Sequence, residues 1–158
     1  MTRTMTDTMT DTNSIEKSIF LRAAKARVWR ALTDAGEFGT WFRMKVHGTF
    51  KAGSTVRANV THPGYEHIVM DLTVERIDPE ELFSYRWHPY AIDLTVDYSK
   101  EPTTLVEFQL KDAPGGTMLT VVESGFDRIP AGRRAEAFRM NDKGWTGQIE
   151  NIRRHVES

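Results

Sequence analysis

The chain has 158 residues, of which 39% are hydrophobic and 27% are charged, a composition that suits one globular domain with a substantial core. A formal net charge of −1 gives no electrostatic basis for binding nucleic acid or an anionic membrane, since both require an excess of Lys and Arg. Because the chain has no cysteine, no secretion signal and no run of about 18 apolar residues, we expect a cytoplasmic protein without disulfides or membrane spans.

The start of the chain differs in composition from the rest. Its first dozen residues, MTRTMTDTMTDT, repeat Thr, Met and Asp and have no apolar period from which a packed face can form. We therefore predict a disordered tail over residues 1–13 and a single domain over residues 14–158.

The domain is predicted to begin with a strand and two short helices. Residues 15–21 alternate apolar and polar side chains as a strand does, and residues 23–32 have the apolar spacing of a helix. Asp34 followed by Glu37 resembles a capping box. This pair predicts a second short helix that ends by Gly39.

Six further strands are predicted from runs with a two-residue period. Gly or Pro punctuates the turns between several of them, so we expect short connections and antiparallel neighbours. The predicted strands are residues 46–50, 55–60, 68–77, 82–87, 103–110 and 117–124.

The last segment is predicted to be one long helix that starts near Pro130 and is about 40 Å long. Asn141 and Gln148 border its apolar face, which consists of Phe138, Trp145, Ile149, Ile152 and Val156. A seven-stranded antiparallel sheet and this helix each have one apolar face to cover. The element order therefore predicts an α+β fold in which the helix lies across a curved sheet.

Three groups of residues, taken in order, resemble one protein superfamily. They are VWRALT at residues 28–33 with Trp41 and Phe42, ESGF at residues 123–126, and GW at residues 144–145. Together they are similar to the SRPBCC (START-like) superfamily, and within it to single-domain proteins of the activator of heat-shock-protein-90 ATPase type. The resemblance implies a helix-grip fold, like that of the birch-pollen allergen, whose sheet curls around the last helix and leaves a cavity that often holds an apolar ligand.

Two glycines in the long helix require a reason. Gly144 and Gly147 each cost a helix roughly 0.5 to 1 kcal/mol relative to alanine. Either they allow another part of the chain to approach the helix backbone closely, or they leave space for a pocket beside Trp145.

Aromatic side chains at alternating positions suggest either an apolar pocket or a completely filled core. In the pocket interpretation, a few polar side chains would orient a small apolar or aromatic ligand. The candidate ligand-binding residues are Trp41, Phe83, Tyr85, Trp87, Phe108, Glu123, Phe138, Asn141, Trp145 and Gln148.

Glu123 is the only residue with a carboxylate side chain among these candidates. It shares strand parity with Leu119 and Val121, so its carboxylate points inward if they do. There it could orient a ligand or act as a general base. The alternative is a residue at the rim, solvated or paired with an arginine such as Arg128.

No metal or cofactor site is predicted. His62 and His67, near Glu66, are close in sequence, but they lie in a predicted turn and not on one face of a helix. No third ligand has a convincing spacing. There is no nucleophile elbow and no Gly-rich phosphate loop.

Three functions remain open. The first is non-catalytic binding of a small hydrophobic or aromatic ligand between sheet and helix. The resemblance implies a second, a chaperone-associated interaction module with a role in the stress response. It also implies a third, a cyclase- or aromatase-like enzyme, for which Glu123 and Tyr85 are the residues to test.

Overall fold

The computed structural model describes residues 12–157, and seven strands in this range form one antiparallel sheet. Their order across the sheet is β1-β7-β6-β5-β4-β3-β2, so the first strand lies beside the last. The strands are β1 (Ser14–Leu21), β2 (Met44–His47), β3 (Thr55–Val60), β4 (Val69–Asp78), β5 (Leu82–Trp87), β6 (Thr104–Ala113) and β7 (Gly116–Ser124).

Three helices accompany the sheet: α1 (Lys25–Thr33), α2 (Ala35–Phe42) and α3 (Ala131–Glu157). The 27 residues of α3 span about 40 Å, as predicted. Its Trp145 ring lies 5.9 Å from that of Trp87 on β5 and 5.7 Å from that of Phe108 on β6, so the helix crosses the sheet. The predicted α+β helix-grip architecture is confirmed. No helix within residues 12–157 is both long enough and apolar enough to cross a membrane.

The predicted tail falls mostly outside the described residues, which exclude residues 1–11. Asn13, which was assigned to that tail, contacts the end of β7. Its backbone carbonyl accepts hydrogen bonds from the amides of Gly125 and Phe126, at 3.0 and 3.1 Å. The start of the described chain is therefore attached to the segment that leads into α3.

The prediction that the second helix ends by Gly39 is wrong. The helix α2 continues to Phe42, because Gly39 serves close packing rather than termination. A Cβ at Gly39 would lie 2.3 Å from the backbone carbonyl oxygen of Met44, which only glycine can tolerate. The longer helix moves the following strand as well, since β2 starts at Met44 directly after the left-handed residue Arg43 (φ 68°).

Phe38 of α2 is the centre of the aromatic core. It is fully buried, and its ring stacks on Phe42 with a centroid distance of 4.9 Å. Further rings surround it edge-on at centroid distances of 5.0 to 6.5 Å, namely those of Trp41, Phe50, Phe83, Tyr85 and Phe108. Edge-to-face pairs of this kind are favourable beyond the area they bury. Aromatic rings therefore occupy this half of the space under the sheet.

A carboxylate joins the three helices. Glu37 accepts hydrogen bonds from Arg27 and Arg30 of α1, at 2.7 and 2.9 Å, and its Oε1 is 2.9 Å from His155 Nε2 of α3. The predicted cap is present, since Asp34 accepts a hydrogen bond from the Glu37 amide. Burial raises the pKa of Glu37, but the hydrogen bonds from His155, Arg27 and Arg30 outweigh it and lower the pKa from 4.5 to about 2.

We expect Glu37→Gln to destabilise the protein at neutral pH but not in acid. A lowered folded-state pKa contributes stability that is present above the unfolded value near 4.5 and is lost as the pH falls towards about 2. The difference in unfolding free energy should therefore be about 1 to 2 kcal/mol at pH 7, allowing for solvent screening, and should shrink below pH 4.5. Urea unfolding at a series of pH values measures it.

Glu16→Gln is the matched control, because Glu16 is exposed and has no ion pair within residues 12–157. A constant difference between wild type and Glu37→Gln from pH 7 to pH 3 would contradict the assignment.

Candidate ligand-binding site

An open cleft of about 550 Å³ lies beside α3. One wall is the middle of α3, and the other is formed by the end of α2, parts of β2 to β4 and the segments that follow β3 and β5. We call this space the α3 cleft. Its lining residues are Phe42, Arg43, Met44, Val60, His62, Tyr65, Ile68, Met70, Trp87, Tyr90, Ala91, Ile92, Met140, Asn141, Gly144, Gly147, Gln148, Glu150, Asn151 and Arg154.

The two helix glycines face open space in the α3 cleft. A Cβ placed on Gly144 or Gly147 would meet no heavy atom within 4 Å, in contrast to the 2.3 Å contact at Gly39. Close backbone approach therefore does not explain them. Of the two predicted reasons, the structure supports the space beside the helix.

Glu123 lies at the centre of a buried hydrogen-bond network, not at the rim. Its side chain is fully buried, and the expected alternative of a solvated residue or a pair with Arg128 is wrong. Oε2 accepts from Trp87 Nε1 at 2.7 Å and Thr104 Oγ1 at 2.6 Å. Oε1 accepts from Trp145 Nε1 at 2.7 Å and Asn141 Nδ2 at 2.9 Å. These four donors match the acceptor capacity of a carboxylate.

The same network fixes the wall of the α3 cleft. Trp87 and Asn141 both line the cleft, and Glu123 holds each of them from behind. Because a carboxylate surrounded by donors accepts only, the carboxamide of Asn141 must present Nδ2 to Glu123. Its Oδ1 has no hydrogen-bond partner in the described part of the chain, which leaves this atom as an acceptor for a ligand.

Gln148 ties α3 to the end of α2. Its Nε2 donates to the carbonyl oxygen of Phe42 at 3.0 Å, and its Oε1 accepts from Asn151 at 3.1 Å. Both ends of this side chain are therefore occupied. Gln148 shapes the cleft, whereas Asn141 retains a free acceptor.

Most of the predicted aromatic residues lie away from the cleft. Trp41, Phe83, Tyr85 and Phe108 are buried in the core around Phe38, and the Trp41 indole donates to the carbonyl oxygen of Ala31 at 2.8 Å. Phe138 packs against Phe126 with ring centroids 5.2 Å apart, and Trp145 lies behind the cleft wall. Among the predicted residues, Trp87, Asn141 and Gln148 line the cleft.

Tyr85 is also enclosed. Its hydroxyl is buried, and no group among residues 12–157 forms a hydrogen bond with it. Burial raises the pKa of Tyr85 well above its usual value, and the nearby charge of Glu123 adds to this. Neither Tyr85 nor Glu123 lines the α3 cleft, so the geometry gives no support to this pair as acid and base for a substrate bound there.

The segment after β5 completes the cleft, and Arg133 of α3 holds it in place. Arg133 Nη2 is 2.8 Å from Glu101 Oε1, Nη1 donates to the carbonyl oxygen of Pro89 at 2.8 Å, and the guanidinium lies 4.7 Å from the Tyr98 ring centroid. Tyr90, Ala91 and Ile92 thereby stay at the wall. Arg133 therefore connects the segment after β5 to α3.

Sequence reasoning missed most of the lining residues. Met44, Met70 and Met140 come from three elements, and Tyr90 and Ile92 come from a segment without a strand or helix period. Only the two glycines signalled the cleft directly, because a glycine in a helix indicates either contact or space.

Comparison with known proteins identifies a family and a fold. A family model described as Activator of Hsp90 ATPase homolog 1-like protein matches residues 22–157. Comparison with curated proteins gives no match. Three solved structures illustrate the shared fold.

DynU16, a protein in the dynemicin biosynthetic locus, is 20% identical with a TM-score of 0.71; the match covers 92% of this chain and 48% of DynU16, so the chain spans about half its length. Protein MLL2253 from Mesorhizobium loti is 24% identical with a TM-score of 0.71, over 91% of this chain and 96% of the other. The Aha1 dimer from Colwellia psychrerythraea is 17% identical with a TM-score of 0.68, over 91% and 96%. The predicted superfamily is confirmed.

We expect Glu123→Gln to lower the free energy of unfolding by about 2 to 4 kcal/mol, because the amide group replaces an acceptor with a donor and leaves buried N–H groups unpaired. Urea unfolding followed by tryptophan fluorescence measures the change. Glu107→Gln on the neighbouring strand β6 is the control, since Glu107 forms no hydrogen bond or ion pair within the described range. A Glu123→Gln protein as stable as this control would contradict the network.

Proposed function

This chain belongs to the family of Activator of Hsp90 ATPase homolog 1-like proteins, and for this member we propose non-catalytic binding of a small, largely apolar ligand in the α3 cleft. The observation that carries the proposal is the open space beside Gly144 and Gly147. A helix of this length gives up stability at both positions, and no packing contact compensates for it. Ligand binding supplies a reason for both residues.

The size and chemistry of the cleft support this function. A volume of about 550 Å³ falls within the usual range for small-molecule sites. Three methionines, Met44, Met70 and Met140, contribute flexible and polarizable side chains that adapt to irregular ligand shapes. Trp87 and Phe42 supply flat aromatic surface. A ligand with an aromatic or branched apolar body fits this lining.

One polar contact is available for orientation. Asn141 lines the cleft, and its Oδ1, which has no hydrogen-bond partner among residues 12–157, would accept a hydrogen bond from a ligand N–H or O–H group. Because Glu123 fixes the carboxamide, this acceptor is preorganised, which reduces the entropic cost of binding. We propose that the ligand has a donor group at that point on an otherwise apolar surface.

We expect Gly147→Leu to abolish binding of a neutral apolar probe while the protein remains folded. The side chain would project into the α3 cleft, and leucine favours the helix more than glycine does by about 0.5 to 1 kcal/mol. N-phenyl-1-naphthylamine, whose fluorescence rises in apolar sites, measures binding, and native mass spectrometry of protein purified from cells detects any ligand retained.

The matched control is Gly132→Leu. Gly132 is also in α3, and a Cβ placed there would also meet no heavy atom within 4 Å, but this residue is absent from the cleft lining. Equal probe affinity in wild type, Gly132→Leu and Gly147→Leu would refute the proposed site.

A second proposed function is contact with a chaperone of the Hsp90 class, which the family description favours. The surface that would suit it is the apolar tip of the segment after β5, where Leu94 is 73% and Val96 42% exposed. Replacing both with Asp should eliminate binding to the organism's own chaperone in a titration monitored by light scattering or calorimetry. Absence of saturable binding by the wild-type protein would remove this proposal.

A further inference from the structure

The mouth of the α3 cleft carries positive charge. Arg43 and Arg154 both line the cleft and are both exposed, so they lie where it meets solvent. They approach from different walls, since Arg43 follows α2 and Arg154 belongs to α3. Among the described residues that line the cleft, Glu150 is the only acidic one.

Neither arginine forms an ion pair in the described part of the chain, although the charge of Arg154 acts on Glu150, one helical turn earlier in α3. Arg43 Nη1 is 3.1 Å from His62 Nδ1, and Arg154 Nη2 donates to Asn151 Oδ1 at 2.8 Å. Glu150 is already engaged, because its Oε1 accepts from Arg153 Nη2 at 2.6 Å and Nε at 3.0 Å. The guanidinium groups of Arg43 and Arg154 therefore retain N–H donors, and Glu150 offsets only part of their combined charge.

Arg43 also occupies a position that costs backbone energy. It has a φ of 68° at the end of α2, a left-handed conformation in which glycine or asparagine is the usual residue. Its carbonyl oxygen accepts a hydrogen bond from the Thr61 amide at 2.9 Å, which holds the strained residue in place. A strained residue of this kind is compatible with a functional role for its side chain.

We propose that the α3 cleft is selective for amphipathic organic acids with a single negative charge. The anionic group meets Arg43 and Arg154 at the mouth, and the apolar body extends along Gly144 and Gly147. A guanidinium is suited to a carboxylate because its planar N–H groups can bond both oxygens. The lining contains two arginines and one glutamate, so one negative charge on the ligand balances it. This inference rests on the proposed binding function and specifies its ligand class.

Two fluorescent probes with the same apolar body test the inference. N-phenyl-1-naphthylamine is neutral, and 8-anilino-1-naphthalenesulfonate adds one negative charge. We expect Arg43→Asn and Arg154→Gln each to raise the Kd of the anionic probe about fivefold, the size of effect for a partly exposed charged contact. The Kd of the neutral probe should stay within about twofold in both variants, because its contacts are apolar. Asparagine preserves the left-handed backbone at position 43.

The control variant is Arg57→Gln, which removes an exposed arginine outside the cleft lining. Equal loss of anionic-probe affinity in this variant would assign the effect to overall charge and overturn the inference. So would Arg43→Asn and Arg154→Gln proteins that bind both probes as wild type does. In these cases blocking of the neutral probe by Gly147→Leu would still support the proposed function. If the wild-type protein binds neither probe, both the function and its ligand class are wrong.

Discussion

The carboxylate of Glu123 is the interaction on which the rest of this structure depends. It belongs to β7, yet its four donors come from β5, β6 and α3, so one buried group fixes the helix against the middle of the sheet. Burying a carboxylate without a cation is costly unless its acceptor sites are filled. Here two indoles, a hydroxyl and a carboxamide donate to these acceptor sites. Their hydrogen bonds to Glu123 fix the positions of Trp87, Asn141 and Trp145.

On either side of this network the space under the sheet is used differently. Towards α2, the rings around Phe38 occupy it, and Gly39 allows β2 to pack directly on the helix backbone. Towards the second half of α3, Gly144 and Gly147 leave it open. The same residue type thus has opposite uses in two helices.

The sequence predicted the fold well because it depends on periodicity and turn residues. The alternating strands and the face of α3 through Trp145 and Ile152 could be read directly. The site could be predicted only in part. Strand parity indicates that Glu123 points inward, but its hydrogen-bond partners cannot be predicted because they come from segments distant in sequence. Aromatic spacing does not distinguish a filled core from a pocket, so Phe83 and Phe108 are candidates for the cavity although they lie in the core. The segment that contains Tyr90 has no strand or helix period, so its place in the cleft wall could not be predicted.

The pairing of β1 with β7 has a consequence for how the protein is made. Ser14 lies opposite Ser124, so an edge of the sheet joins residues more than one hundred positions apart. The conformational entropy of this loop must be lost before the strand contacts can stabilise the closed loop. During synthesis, β1 has no partner strand until β7 has left the ribosome, and α3 emerges after β7. The cleft is therefore assembled only after α3 has emerged, and a nascent chain that stops before α3 does not contain it.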